Sequence, residues 1–344
     1  MATDRDYQEN INKGLDKAYE ESPIQFIDIS DIRLVIFSDH HKGNGDEADD
    51  FRQSKMAYRA SLDYYLQAGH TLIVLGDVEE LWENRPVPVL ETYDTILELE
   101  NEYHKRKRYL RFWGNHDDEW RNPSQVERHL GKFFDDLSVL ECLRLKLLDG
   151  DEELGEFFFV HGHQGTVFSD RFGWLSRFFV RYIWRPFQRI TKIKPNTPAT
   201  DWRLRYEHDI AMYNWAAEKQ GIVLIAGHTH HPIFPSTVSV DRLAEAYESI
   251  KDLSVYEDEI AQVQADLEFA QAQEQPAYFN DGCCCFSDGR ITGIEIISGQ
   301  IRLIRWPNDI GQPQPEILDS ADLREVFEAV ASSVEPIPIP VELE

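Results

Sequence analysis

The chain has 344 residues, enough for two average domains or one large α/β domain with insertions; 42% are hydrophobic and 28% charged. That composition excludes wholesale disorder, collagen-like repeats and a disulfide scaffold. Lys and Arg total 35 against 62 Asp and Glu, a net charge of −27, which disfavours wrapping of nucleic acid and requires that a phosphate-bearing substrate meet a local positive centre, a basic patch or a bound cation.

The start, Met1-Ala2-Thr3-Asp4-Arg5-Asp6, lacks a basic n-region and an apolar h-region. No apolar run approaches the roughly 18 residues of a membrane span, so a cytoplasmic protein is expected. Residues 1–30 read as an N-terminal helical extension and residues 31–307 as the main domain. Five short apolar runs predict strands: Leu34–Phe37, Thr71–Leu75, Tyr109–Trp113, Phe157–Val160 and Ile222–Ala226. Helical segments lie between several of them, at 51–68 and 91–107, which predicts an α/β fold. Residues 167–194 form a basic aromatic insertion, with seven bases, one acid and eight aromatics. It reads either as a surface for anionic lipid or as a helical cap paired with the protein's own carboxylates. Residues 241–274 form an acidic insertion, ten acids against two bases, expected as a long helix or helical hairpin. Cys283-Cys284-Cys285 is expected in a strand, and with only four cysteines the chain suits a reducing compartment. Ile291–Ile297 and Gln300–Trp306 flank Ser298-Gly299, a hairpin signature, and residues 308–344 are expected to hold a C-terminal helix and an extended or disordered Pro-rich tail.

Each apolar run is followed at once by polar residues. Eight of the twelve histidines fall in four windows there, 40–41, 116, 161–163 and 228–231, and scattered structural histidines do not cluster in this way. In open α/β sheets, ligands gather beyond the carboxyl ends of strands. The imidazoles come with Asp39, Asp77 and Asn115 and without cysteine, a donor set suited to Mn, Fe, Zn or Co. Two such metals about 3.5–4 Å apart clamp a phosphoryl group for in-line attack.

The ordered set Asp39-x-His41, Gly76-Asp77-x-x-Glu80, Gly114-Asn115-His116-Asp117, His161-Gly162 and Gly227-His228-Thr229-His230 resembles the calcineurin-like metallophosphoesterase superfamily. The resemblance implies a four-layer fold, two mixed β-sheets packed face to face and flanked by helices, here with helical insertions. It implies that Asp39, His41, Asp77 and His230 hold one metal and that Asp77, Asn115, His161 and His228 hold another, with a hydroxide on the metal pair as nucleophile. Two divalent transition-metal ions are the expected cofactors, manganese first. His116 matches the family's catalytic imidazole, and Asp117 would orient it and raise its pKa. Glu80 is as readily a helix-starting or supporting residue, and His163 a hydrogen-bonding neighbour. The expected substrate is a phosphomonoester or phosphodiester. A lipid-linked pyrophosphate is the alternative, because the motif order and a helical insertion are similar to the UDP-2,3-diacylglucosamine pyrophosphatase family. That family commonly carries Arg after the third-block Asn, where this chain has His116. A nuclease and an inactive scaffold are the remaining alternatives, and peripheral membrane contact through residues 167–194 belongs to the lipid reading of that segment and not to its reading as a helical cap.

Overall fold

A computed structural model describes residues 4–166, 202–251, 257–309 and 314–339; the basic aromatic insertion at 167–194 lies outside them. The strands, in chain order, are β1 (Ile24–Asp28), β2 (Arg33–Phe37), β3 (Thr71–Leu75), β4 (Tyr109–Phe112), β5 (Val139–Leu140), β6 (Cys142–Asp149), β7 (Glu152–Val160), β8 (Ile222–Ala226), β9 (Tyr278–Asn280), β10 (Ile291–Ile297), β11 (Gln300–Trp306) and β12 (Glu316–Asp322). They form a five-stranded sheet in the order β1-β6-β7-β8-β9 and a seven-stranded sheet in the order β12-β11-β10-β2-β3-β4-β5. Both are mixed. β2 to β5 run parallel while β10 to β12 run antiparallel; β6 and β7 form an antiparallel pair beside parallel β8 and β9.

The side-chain period of two explains the layers. Leu34 and Ile36 of β2 and Ile73 and Leu75 of β3 join Leu143, Leu145 and Phe157 in one buried core between the sheets. Val35, Phe37, Leu72 and Val74 point the other way, into a second core with Tyr58, Leu62 and Leu97 from the helices Lys55–Ala68 and Asp94–Lys105. Strands covered on both faces read as unbroken apolar runs, and this is why the five expected strands are found. The helices Asp4–Glu21 and Trp202–Ala217 cover the other sheet, burying Ile11, Leu15, Met212 and Trp215. The result is the expected four layers.

Two segments differ from the sequence reading. Residues 1–30 are more than a helical extension, since β1 pairs in parallel with β6, Ile24 opposite Arg144, and closes one sheet edge. Residues 308–344 add β12 to the other sheet before the helix Leu323–Ala329. The tail is extended, as expected, and largely exposed, but it is tied down where described: Val334 N–H donates to Ala217 O at 3.2 Å, Asn214 grips both polar groups of Ile337, and Val334, Ile337 and Ile339 pack on the core. The acidic insertion is a helical hairpin, Thr237–Ile250 against Glu257–Ala272, whose first helix is capped by Ser236 Oγ accepting from Ser239 N–H at 3.0 Å. The hairpin β10–β11 turns at Ser298 and Gly299, with φ of 54° and 75°, the pair of positive angles a two-residue turn needs.

Candidate metal centre

The polar segments after β2, β3, β4, β7 and β8 converge at one end of the sheets. Backbone bonds fasten the first two segments together: Asp39 N–H donates to Gly76 O at 3.1 Å, His41 to Asp77 O at 3.0 Å and Lys42 to Val78 O at 2.9 Å. Asp39, His41, Asp77, His228 and His230 all have left-handed φ, from 49° to 70°. Asp and His tolerate this region better than most residues, yet each instance costs about 1–3 kcal/mol, and such strain concentrates where side chains must be aimed. Gly76 has φ 90°, and a Cβ there would lie 2.7 Å from the His161 ring, so only glycine lets that imidazole approach.

Asp39 Oδ1 lies 3.2 Å from His230 Nε2 and 3.7 Å from His41 Nε2. Asp77 Oδ2 lies 3.2 Å from His161 Nε2 and 3.8 Å from His41 Nε2. His161 Nδ1 donates to Leu75 O at 2.8 Å, which fixes its orientation and leaves Nε2 for the centre. Asp39, His41 and His230 form one tight group of donor atoms, and Asp77, His161 and His228 another, each within 4.8 Å. Six of the seven expected ligands fall in these groups. The seventh, Asn115, precedes His116, whose N–H donates to Asp77 Oδ1 at 2.8 Å.

Whether a cation fits here is tested by the atoms left over. Asn115 Oδ1 and His228 Nε2 are buried and have no hydrogen-bond partner among the described residues, while Asp39 Oδ1 and His161 Nε2, equally buried, make no well-aligned hydrogen bond and meet the ion-pair partners His230 and Asp77 at 3.2 Å. Buried polar atoms without a hydrogen bond are expensive, and these four, with the Asp77 carboxylate among them, make a cage with oxygen and nitrogen donors only. Burial alone would raise Asp77, but His161 and His116 pull it well below the usual carboxylate range. Although burial lowers both imidazoles, Asp77 raises His161 to about 9 and Asp39 raises His230 to about 10. The carboxylates thus hold positive charge beside them, as a divalent cation would supply.

His116 sits beside this cage, its ring 4.7 Å from that of His41 and stacked on Trp82 at 4.1 Å. Here the structure differs from the sequence reading. Asp117 does not orient His116: its carboxylate is buried and accepts the backbone N–H groups of Val78 at 2.9 Å and Gly114 at 2.6 Å, joining two of the polar segments. The orienting carboxylate is Glu80, whose Oε2 lies 2.6 Å from His116 Nδ1 and 3.1 Å from His41 Nδ1. Burial would raise Glu80, but His116 and His41 lower it to about 2; His116 is in turn raised by Glu80 and Asp77 against burial.

Behind the cage lies a second set of buried charges. Lys42 Nζ donates to Glu100 Oε1 at 2.9 Å, and the hydroxyls of Tyr58 and Tyr109 donate to the same carboxylate at 3.1 and 2.8 Å. Arg111 pairs with Glu79, which also accepts from Trp120 Nε1. Lys42 follows His41 and Glu79 precedes Glu80, so these pairs anchor the two segments that carry the site. Glu100→Ala leaves the Lys42 charge buried without its acceptor and is expected to cost about 3–5 kcal/mol in urea unfolding; a loss under about 1 kcal/mol would contradict the anchoring role.

Two further sequence expectations, and two remaining histidines of the four windows, resolve locally. The cysteine tract is not in a strand: β9 ends at Asn280, and Gly282 with φ 81° turns the chain. Cys284 is buried in the second core, while Cys285 Sγ lies 3.7 Å from His230 Nδ1. His163 is buried beside His161, and burial lowers it to about 3, so it stays neutral. His40 is packed against Tyr58 at 4.4 Å, and His231 lies between Asp209 and Asp266 of the covering helices.

The calcineurin-like phosphoesterase family matches residues 32–232, more than half of the 344-residue chain. No curated protein matches the chain. Among solved structures it is similar to vacuolar protein sorting 29 from Cryptosporidium parvum, at 11% identity and TM-score 0.36, covering 85% of this chain and 98% of that one. It is also similar to a conserved uncharacterized protein, a predicted phosphoesterase, from Streptococcus pneumoniae, at 13% identity and TM-score 0.28, covering 83% and 97%. The family match spans every polar segment of the cage from Asp39 to His230, and the chain belongs to the calcineurin-like phosphoesterase family as a metal-dependent phosphoester hydrolase.

Proposed function

We propose that the enzyme hydrolyses a phosphomonoester or phosphodiester, with Asp39, His41, Asp77 and His230 holding one divalent cation and Asp77, Asn115, His161 and His228 holding a second. The reading is carried by the convergence of the Asp39–His41–His230 and Asp77–His161–His228 donor groups, with Asn115 Oδ1 and His228 Nε2 buried and without a hydrogen-bond partner among the described residues. Manganese is the favoured occupant, since hard oxygen donors and imidazoles make up the whole set. Bound cations there supply charge to a phosphoryl group and make a water nucleophilic at neutral pH. The protein's own part is positional. Asp77 lies between the two ligand groups, and His161 is fixed by Leu75 O. His116 has Nδ1 engaged by Glu80, so Nε2 is the nitrogen that passes a proton to the leaving oxygen. Glu80 keeps that imidazole charged and oriented. Manganese-loaded protein is expected to hydrolyse nitrophenyl phosphate or bis-nitrophenyl phosphate, and inertness toward both would contradict the reading.

A second reading, a lipid-linked phosphate or pyrophosphate as substrate, rests on the composition of residues 167–194. Seven bases and eight aromatics stand there between His163 and His228 in an otherwise acidic chain. Each base near an anionic membrane is worth about 1 kcal/mol. Wild-type protein is then expected to float with anionic liposomes at low salt and to be released at high salt. Failure to float at low salt removes this reading. No helix among the described residues is long and apolar enough to cross a membrane.

A further inference from the structure

The two ring nitrogens of His230 face different chemistry. Nε2 lies 3.2 Å from Asp39 Oδ1, inside the oxygen-rich cage. Nδ1 lies 3.7 Å from Cys285 Sγ, outside it. The thiols of Cys283 and Cys285 and a His230 nitrogen all lie within 4.8 Å of one another. Their loop is held firmly: Cys284 N–H donates to the carbonyls of Ser38 and Asp39, both at 3.2 Å, and Gly282 N–H donates to Asn280 Oδ1 at 2.9 Å. Cys283 is buried, whereas Cys285 and His230 are partly exposed, so an ion reaches the group from solution.

Two sulfurs and an imidazole are a donor set that manganese shuns and that zinc, cadmium or copper(I) prefers. With metal–sulfur bonds of about 2.3 Å and metal–nitrogen bonds of about 2.0 Å, tetrahedral ligands sit roughly 3.5–4 Å apart. From separations of at most 4.8 Å, the three donors need to close by no more than about 1.3 Å to meet that geometry, within reach of side-chain rotation. We propose that Cys283, Cys285 and His230 form a binding site for a thiophilic cation, separate in donor chemistry from the carboxylate cage but sharing one imidazole with it. Binding replaces two thiol protons with the cation and leaves the fourth position to water; no oxidation is involved. A neutral imidazole that ligates through Nδ1 carries its proton on Nε2 and cannot ligate there as well. Occupancy of the thiol site therefore withdraws His230 from the cage and inhibits the enzyme, a consequence that rests on the assignment of His230 in the proposed function.

Cadmium titration of the apoprotein tests the site itself. Wild type is expected to develop the near-ultraviolet thiolate-to-cadmium absorption, and Cys283→Ser with Cys285→Ser to lose it. Absence of the band in wild type overturns the site. So does its persistence in the double variant, which would place it on Cys142 or Cys284. Should the double variant fail to fold, alkylation of native wild type decides: cadmium is expected to protect Cys285 from iodoacetamide, and equal labelling with and without cadmium overturns the site. The inhibitory link is read separately on manganese-loaded protein. Cadmium is expected to inhibit wild type at concentrations at least about tenfold lower than the double variant. A full band with no such difference overturns the sharing of His230, while inactivity of manganese-loaded wild type without cadmium counts against the proposed function alone.

Discussion

Asp77→Ala is expected to lower turnover on an aryl phosphate by at least about 10³-fold, the scale set by removing charge stabilisation from a preorganised site. The reason is position. Asp77 Oδ2 approaches both His161 and His41, and Asp77 Oδ1 accepts the His116 backbone N–H, so one carboxylate touches both ligand groups and fastens the backbone that carries His116. The same substitution is expected to abolish stabilisation by added manganese. A ligand at 100 times its dissociation constant stabilises a native protein by about 2.7 kcal/mol, readable as a shift in Tm. If Asp77→Ala keeps both the manganese-induced shift and wild-type turnover, the shared-carboxylate assignment is wrong.

His116→Ala separates chemistry from metal retention. Its side chain stands at the edge of the cage, stacked on Trp82 and tied to Glu80 through Nδ1, with a ring nitrogen within 4.8 Å of donor atoms of His41 and Asp77. Turnover is expected to fall roughly 10²–10⁴-fold, the usual contribution of a positioned general acid, with manganese content unchanged. The loss should be larger for alkyl than for nitrophenyl esters, whose leaving oxygen needs little protonation. Glu80→Gln should reproduce part of this, about 10–100-fold, because the amide cannot hold positive charge on His116 but keeps its shape. Asp117→Asn should behave differently, because Asp117 holds backbone N–H groups of Val78 and Gly114: its effect is on thermal stability before ester preference. Equal losses on both ester types for His116→Ala would remove the proton-transfer role.

The contrast between Glu80 and Asp117 shows where sequence reasoning stops. The cage residues were legible because each follows a strand buried on both faces, and such strands advertise themselves as unbroken apolar runs. Their convergence follows from parallel strands ending on the same side. The partner of His116 was not legible. It depends on contacts between segments distant in the chain: Glu80 reaches His41 and His116 across more than 30 residues, while Asp117 is taken up by the backbone N–H groups of Val78 and Gly114. β1 and β12 escaped for another reason: Ile24, Gln25 and Phe26 are exposed, as are Glu316 and Ile317, so these edge strands lack the buried pattern that marks the interior ones. The cysteine tract looked like strand because its residues are apolar, but the positive φ of Gly282 ends the extended chain before Cys283 and turns the thiols toward His230. The packed tail depends on Asn214 meeting Ile337, a contact across 123 residues that no local pattern encodes.

On the proposed function, the buried donors around Asp39 and Asp77 are cation ligands. The most direct measurement is the metal content of wild-type protein, stripped with chelator, reloaded with manganese, desalted and analysed alongside Asp77→Ala. The account predicts about two manganese ions per wild-type chain, as a dinuclear site requires, and loss of both or nearly both in the variant. Wild-type protein that retains no manganese, or a variant that retains as much as wild type, would contradict it.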